Sequence, residues 1–426
     1  MIWRSRLGWM LGCSFLAVAA SGCSDAFNAG DLVYIEAPAM TQDLGPTQGN
    51  LKDKPRLREK VRAAMKELYG PDPQTIRVPK GMPLSNGGAL LASHIEGGKD
   101  PGPHPILQVS ATPGSAPAPQ AGGYAIYRRN CLHCHGVSGA GDGPTAPFMY
   151  PTPRDFRPGK FKFTSTPSGR PPHRDDLRRT ITYGLDGTSM PAFEPLLTPA
   201  EIEEVVDYVM FLSMRGQTEL ALIDEAATFE EGDAGEALDE ETVQSLADSV
   251  FKMWRKSQSA RLNPKVARTE PTRASILRGR DLFLASDCKD CHGRLAAGDG
   301  DSFIDQETFN KIVFGGNPSE RARRAEELIS RDSKKLWKDD WGNPLRPANL
   351  NKPMYKGGRR PIDLYWRIAK GINGAQMPGH YPSPFDDEKT WDIVNFVLAL
   401  PYEPTLLTDA PQNAPAGTAV ADARGR

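Results

Sequence analysis

Twice in its 426 residues, 157 positions apart, the chain repeats one pattern: Cys131-Leu132-His133-Cys134-His135 and Cys288-Lys289-Asp290-Cys291-His292. Two thiols with an imidazole directly after the second form a demanding arrangement, and each of its uses dictates its surroundings. A redox dithiol does not need the histidine and comes with a thioredoxin-like pattern around it. A zinc site that joined both pairs would need them roughly 15 to 20 residues apart. Chance does not put histidine at the same offset in both copies.

Cys-x-x-Cys-His is the attachment signature of c-type haem. The thiols add across two vinyl groups on one porphyrin edge, and the adjoining histidine lies beneath the ring, where it binds iron. Cys131, Cys134, Cys288 and Cys291 are therefore the expected attachment points of two covalently bound haem c groups, with His135 and His292 as proximal iron ligands. His133 lies between the cysteines and cannot reach the same iron as His135.

The repeat extends well beyond the motif. Gly123 and Tyr127 precede the first copy as Gly279 and Phe283 precede the second, which reads as a short helix with its aromatic turned inward. Gly136, Gly141, Asp142 and Gly143 follow one motif; Gly293, Gly298, Asp299 and Gly300 follow the other. Pro153-Arg154-Asp155-Phe156 matches Pro347-Ala348-Asn349-Leu350, and Phe161-Lys162 matches Tyr355-Lys356. Counting back from Met190 meets Gly187, Gly184, Ile181 and Leu177 at the same intervals at which counting back from Met377 meets Gly374, Gly371, Ile368 and Leu364. The Leu/Ile pairs share a helical face and the glycines end the helix. Each methionine thus sits on a loop just past a helix, and each precedes a proline. A single Met is more often a core filler, but two in one register downstream of haem motifs are expected distal ligands. His380, three residues past Met377, is the alternative ligand there. Each unit closes with an amphipathic helix, around Tyr208 and around Phe396. Thr198 with Glu201 makes a capping box for the first, and Asp386 caps the second.

With these features in place, the chain resembles the bacterial class I cytochromes c, carrying two such domains in tandem over residues 122–216 and 275–402. The resemblance implies an all-α fold wrapped around haem, with His/Met ligation that leaves no vacant iron position for substrate. It also implies a proline carbonyl that orients the proximal histidine, for which Pro153 and Pro347 are the candidates. The expected organisation is an export signal over 1–22, a largely irregular non-haem segment over 23–120 and a first domain over 121–216. An acidic linker follows over 217–250, then a second domain over 251–402 with an insertion at about 294–345, and a disordered tail over 403–426. The insertion covers a haem face, docks a partner or decorates the surface.

The export signal rests on Arg4 and Arg6, a short mostly apolar run, and Ala20-Ser21-Gly22-Cys23. Small residues ending in Cys resemble a bacterial lipobox with a lipidated Cys23, although Ala20 stands where that pattern usually carries Leu; an ordinary signal peptide is the alternative. Such a chain is exported to the periplasmic side and meets a membrane only through this anchor. With 39% hydrophobic and 25% charged residues the rest is not membrane-embedded, and a net charge of -1 argues against a nucleic-acid partner.

Within residues 23–120, positions 56–69 read as one amphipathic helix stopped by Gly70-Pro71, and a Pro/Gly/Ala-rich spacer follows. The segment is either a contact arm or a disordered stalk. Residues 216–250 hold 11 acidic side chains and no basic one, the mark of a solvated linker. The stripe Val243, Leu246, Ala247, Val250 and Trp254 is expected to pack on the second domain. Residues 251–402 carry 27 basic against 19 acidic side chains, a surplus suited to an acidic redox partner. The expected function is single-electron transfer in a bacterial respiratory chain. The resemblance extends to cytochrome subunits of quinol-oxidising complexes, including alternative complex III, and of terminal oxidases. The rival is a dihaem redox enzyme such as a cytochrome c peroxidase, which needs a displaceable distal ligand; a third reading is a scaffold subunit.

Overall fold

The computed structural model describes residues 32–45, 48–73, 75–85, 122–300 and 337–408, together with Gly316, Glu320 and Arg323. The expected export signal, Cys23, the spacer, most of the insertion and the tail beyond 408 lie outside the described residues. Among the described residues eleven α-helices run in the order α1 (Pro55–Tyr69), α2 (Gly123–Asn130), α3 (Leu132–His135), α4 (Arg174–Tyr183), α5 (Pro199–Ala227), α6 (Glu240–Gln258), α7 (Arg273–Ala285), α8 (Cys288–His292), α9 (Pro361–Lys370), α10 (Asp387–Ala399) and α11 (Thr405–Thr408). One antiparallel hairpin, β1 (Trp337–Lys338) with β2 (Pro344–Leu345), is the only sheet among the described residues. The all-α reading holds. None of the described helices is long and apolar enough to cross a membrane.

Each haem unit is built on a close helix crossing. α2 meets α5 at Gly123, where a Cβ would overlap the Glu204 carbonyl, and α7 meets α10 at Gly279, where it would overlap that of Asp392. The missing side chain lets the backbones touch, so the aromatics one turn on can interlock. Tyr127 packs against Tyr208 with ring centroids 4.9 Å apart, and Phe283 against Phe396 at 5.5 Å. All four rings are fully buried, each stabilising the fold by about 1.5–3 kcal/mol. α5 starts as its sequence dictates: the Thr198 side chain accepts from the Glu201 amide while the Glu201 carboxylate accepts from the Thr198 amide, with Pro199 at the first helical position.

Several expectations need correction. The acidic 217–250 stretch is not a solvated linker, because α5 continues to Ala227 with Leu222, Ile223 and Ala226 fully buried. What buries them is the N-terminal segment. Tyr69 of α1 stacks edge-on against Phe211 and bonds Thr218 through its hydroxyl at 2.7 Å. The Ala37 amide donates to Glu219 Oε1 at 3.0 Å, Arg215 lies 3.8 Å over the Tyr34 ring, and Lys54 Nζ caps the helix end at Ala227 O and Phe229 O. Residues 33–45, 48–73 and 75–85 are accordingly a packed part of the first unit and not a stalk. α6 also belongs there: Trp254 Nε1 donates to Gln217 on α5 at 2.6 Å, and Gln258 bonds Pro172 O and the Arg174 amide. Its apolar stripe therefore packs on the first domain and not on the second. Past residue 402, α11 is ordered, with Leu406 and Leu407 in the second domain's core.

An extended stretch after α6 joins the units. The Leu262 amide donates to Ser165 O while the Leu262 carbonyl accepts from Trp366 Nε1, and Val266 O accepts from Trp391 Nε1 at 2.9 Å.

Candidate haem sites

In each unit the motif forms a short helix that stops at a glycine with positive φ, Gly136 or Gly293. The Gly-Asp-Gly loop then folds back by the same bonds in both copies. The Gly141 amide donates to His135 O and the Gly143 amide to Cys134 O, as the Gly298 amide does to His292 O and the Gly300 amide to Cys291 O. Four half-buried thiols result, none in a disulfide. Burial pushes the Cys131 thiol up to about 12, and it raises those of Cys288 and Cys291 as well. None of the four sulfurs is committed to another covalent bond, which leaves each pair able to form the two thioether links of a haem c.

His135 Nδ1 lies 3.2 Å from Arg154 O, and His292 Nδ1 lies 3.0 Å from Ala348 O. Burial pushes the His135 imidazole down to about 4 and lowers that of His292. A neutral ring that donates through Nδ1 leaves Nε2 with its lone pair free, the tautomer a metal requires. The orienting carbonyls are those of Arg154 and Ala348, one residue past the expected Pro153 and Pro347. The proline carbonyls instead lie against Gly141 and Gly298. Phe156 stacks on the His135 ring at 4.6 Å and 26°, a support the second unit does not repeat, because Leu350 fills that register.

The methionine loops also match. The Leu185 amide donates to Met190 O and the Ile372 amide to Met377 O, both at 3.1 Å, closing equivalent turns after α4 and α9. Both methionine side chains are half-buried. Thr188 adds two bonds in the first loop, donating from Oγ1 to Leu185 O and accepting from the Met190 amide; Ala375 stands in its place in the second. His380 is buried against Phe385, and its ring nitrogen, an Asp287 carboxylate oxygen and Cys288 Sγ lie within 4.8 Å of one another. The sequence pattern alone did not reveal Arg154, Phe156 or the Asp287–His380 pairing. The matched Pro-x-x-Φ segments contained the signal for the first two.

The donor set fits haem c on the geometry of this chain. In each unit two unpaired thiols flank a neutral imidazole held by its far nitrogen, and a thioether sits on an equivalent closed loop.

A family model described as "Cytochrome C oxidase, cbb3-type, subunit III" matches residues 118–209, and one described as "Cytochrome c" matches residues 276–401. No curated protein matches the chain. Among solved structures, a chain of the Kuenenia stuttgartiensis reducing HAO-like protein complex Kustc0457/Kustc0458 is 26% identical, with TM-score 0.44, over 65% of this chain and 94% of that one. The two family matches span just over half of the chain and fall on the two units whose geometry is described above. The chain carries two cytochrome c domains in tandem, each the haem-binding, electron-transferring unit of that family.

Proposed function

We propose that the chain carries single electrons through two haem c groups, attached at Cys131/Cys134 and Cys288/Cys291 and ligated by His135 with Met190 and by His292 with Met377. Haem iron, when bound, supplies a one-electron couple between ferrous and ferric. The chain's part is to hold that couple in a fixed environment. The Arg154 and Ala348 carbonyls keep the imidazoles in one tautomer and one orientation. The closed loops would hold the thioethers of Met190 and Met377 as the second protein ligands, which would suit each iron to electron transfer. The observation that carries this reading is the duplication: the same carbonyl-to-Nδ1 contact and the same methionine turn occur in both units.

The wider setting is a bacterial respiratory chain at the outer face of a membrane. Export and a lipid anchor at Cys23 rest on the N-terminal pattern. The match of the first unit to a model named for an oxidase subunit supports a terminal-oxidase complex as partner, and a quinol-oxidising complex is the other setting that the sequence pattern suggests. The basic surplus of the second domain supports an acidic redox partner.

Low-temperature electron paramagnetic resonance together with near-infrared absorption on the purified holoprotein tests the ligation. Two low-spin irons, each with the near-infrared methionine-to-iron band, are expected. A high-spin iron with peroxide turnover would instead establish the peroxidase reading. Mass spectrometry of the membrane-extracted mature chain tests the anchor: a diacylglyceryl Cys23 is expected, and an unmodified N-terminus elsewhere overturns it.

A further inference from the structure

The hairpin of residues 337–345 belongs to the second domain but reaches across to the first. Tyr150 donates from its hydroxyl to Pro344 O at 2.8 Å, Thr152 Oγ1 to Asn343 Oδ1 at 2.8 Å, and Lys162 Nζ to the fully buried carboxylate of Asp339 at 2.7 Å. Lys160 pairs with Asp340 beside it. At the tip stands Trp341, whose ring is met from both haem units; Lys162 Nζ lies 5.7 Å from its centroid, and two nearer neighbours press on it. The Arg154 guanidinium lies over its face, 3.5 Å from the centroid. Its edge lies against Gly374, where a Cβ would come within 2.5 Å of the ring, and the neighbouring Asp340 amide donates to Gly374 O at 3.0 Å.

Both neighbours act on a haem ligand. Arg154 provides the carbonyl that His135 Nδ1 meets. Gly374 lies in the turn that Met377 closes, three residues before the thioether. The same turn is fastened a second time at the buried Asn373, whose amide donates to Phe161 O at 3.1 Å and whose carbonyl oxygen accepts from Ser168 and the Gly169 amide. The proximal side of the first site and the distal loop of the second therefore both meet one indole.

We propose that Trp341 is a positioning residue for both haems at once, linking the orientation of His135 to the seating of the Met377 loop so that the two iron sites are not independent. Displacing the ring frees the Arg154 side chain from its stack and removes the wall behind Gly374. A coupling of this kind is reciprocal: whatever the state of one site does to the other through Trp341, the second does to the first. Stacking over an indole uses the planar face of guanidinium, so lysine is not equivalent at position 154.

The inference rests on the proposed His/Met ligation. Spectroelectrochemical titration of the full holoprotein, with both haems resolved, is compared among the unmodified chain, Trp341→Ala, Trp341→Phe and Arg154→Lys. In Trp341→Ala the ratio of oxidised to reduced iron at fixed poise is expected to change at least threefold at both haems. Trp341→Phe, which retains a ring face, is expected to restore at least half of each shift. Arg154→Lys keeps the backbone carbonyl and sits in the first domain, yet is expected to move the second haem. Amide exchange provides a readout that does not depend on iron: residues 150–156 and 371–377 are expected to lose protection together in Trp341→Ala. A shift confined to one haem, or exchange that rises in one segment only, overturns the link while leaving the ligation intact. An unmodified protein with no methionine band at the second haem overturns both. Where Trp341→Ala does not retain two haems, Trp341→Phe and Arg154→Lys decide on the same criteria.

Discussion

Phe163 and Gly357 occupy the same position in the two repeats, and they pack against each other: a Cβ on Gly357 would come within 2.5 Å of the Phe163 ring. The lysines just before them, Lys162 and Lys356, are also repeat partners, and Lys356 has its pKa lowered by burial and by the charge of Lys162. On either side, the Gly187 turn of the first unit faces Met354 and Lys356, while Asn373, in the equivalent turn of the second, bonds Phe161 O. The two domains thus meet as the subunits of an isologous dimer do, like surface to like surface. The Trp341 hairpin is the part that has no counterpart.

That contact predicts a strict requirement at position 357. Gly357 has φ +82, where any other residue is strained, and the Phe163 ring lies where its Cβ would go. Gly357→Ala is expected to destabilise the holoprotein by about 2–4 kcal/mol, combining overpacking with left-handed backbone strain. Adding Phe163→Leu should recover the overpacking part. Thermal unfolding of the single and double variants separates the two contributions.

Asp339 carries the hairpin's attachment. Its side chain is fully buried and accepts from Lys162 Nζ, the Trp341 and Asn343 amides and Asn343 Nδ2. Removing one partner of a buried pair leaves the other charge uncompensated, so Asp339→Ala should cost about 3–5 kcal/mol. The double variant Asp339→Asn/Lys162→Met removes both charges and should lose much less. Denaturant titrations of the parent, Asp339→Asn, Lys162→Met and the double variant give the coupling directly.

Much of the candidate site could be read in the sequence because it is encoded locally. The two thiols and the histidine are fixed by covalent spacing, and the methionine loops by a count from the preceding helix. Pro153 and Pro347 were one residue off because a turn's geometry, not its most recognisable residue, decides which carbonyl meets Nδ1. The acid-rich stretch after residue 216 was misread for a different reason. Most of its charges face solvent, but Glu219 is buried, and Leu222, Ile223 and Ala226 keep a helical period that only the N-terminal segment explains, with α1 some 150 residues earlier in the chain. Trp341 and Arg154 are 187 positions apart, and nothing local to either announces their contact. The core follows from periodicity; the way the two units meet depends on long-range shape.

One buried carboxylate makes stability fall as pH rises. Glu204 on α5 is almost fully buried, and its Oε2 has no hydrogen-bond partner among the described residues. Burial, then the charges of Glu201 and Asp207, push its carboxyl up to about 7. In the unfolded chain the group titrates near its ordinary value, so the folded state binds the extra proton between roughly pH 4.3 and 7. Its contribution is intact below that window and is lost as pH rises through it. Glu204→Gln removes the ionisation and should be more stable than the parent by about 2 kcal/mol at pH 8, with little difference at pH 4. Equal gains at both pH values would rule out titration as the cause.

The basic surplus of residues 251–402 predicts a salt-sensitive encounter. If the second domain receives an acidic partner, the second-order rate of electron exchange with an acidic electron carrier should fall steeply as ionic strength rises from about 0.01 to 0.15 M, where the screening length contracts from roughly 30 to 8 Å. Exchange with a basic carrier should show the opposite trend. Stopped-flow rates that do not vary with salt would remove the electrostatic argument.

Methionine ligation predicts which haem responds to which substitution. A thioether opposite histidine raises the potential relative to other axial partners, and axial ligands together span about 0.8 V. Met190→Ala and Met377→Ala should each lower the potential of the haem in their own domain by on the order of 0.1–0.3 V, with the near-infrared band halved in both cases. The two should differ in one respect. Thr188 braces the first loop through bonds to Leu185 O and the Met190 amide, whereas Ala375 offers nothing equivalent to the second. Met377 should therefore be displaced by an added ligand such as imidazole at lower concentration than Met190. Thr188→Ala should bring the first haem toward the second's behaviour, and Ala375→Thr should make the second resist. If imidazole displaces both methionines equally in the unmodified protein, Thr188 is a surface decoration of the loop and the asymmetry between the two sites lies elsewhere.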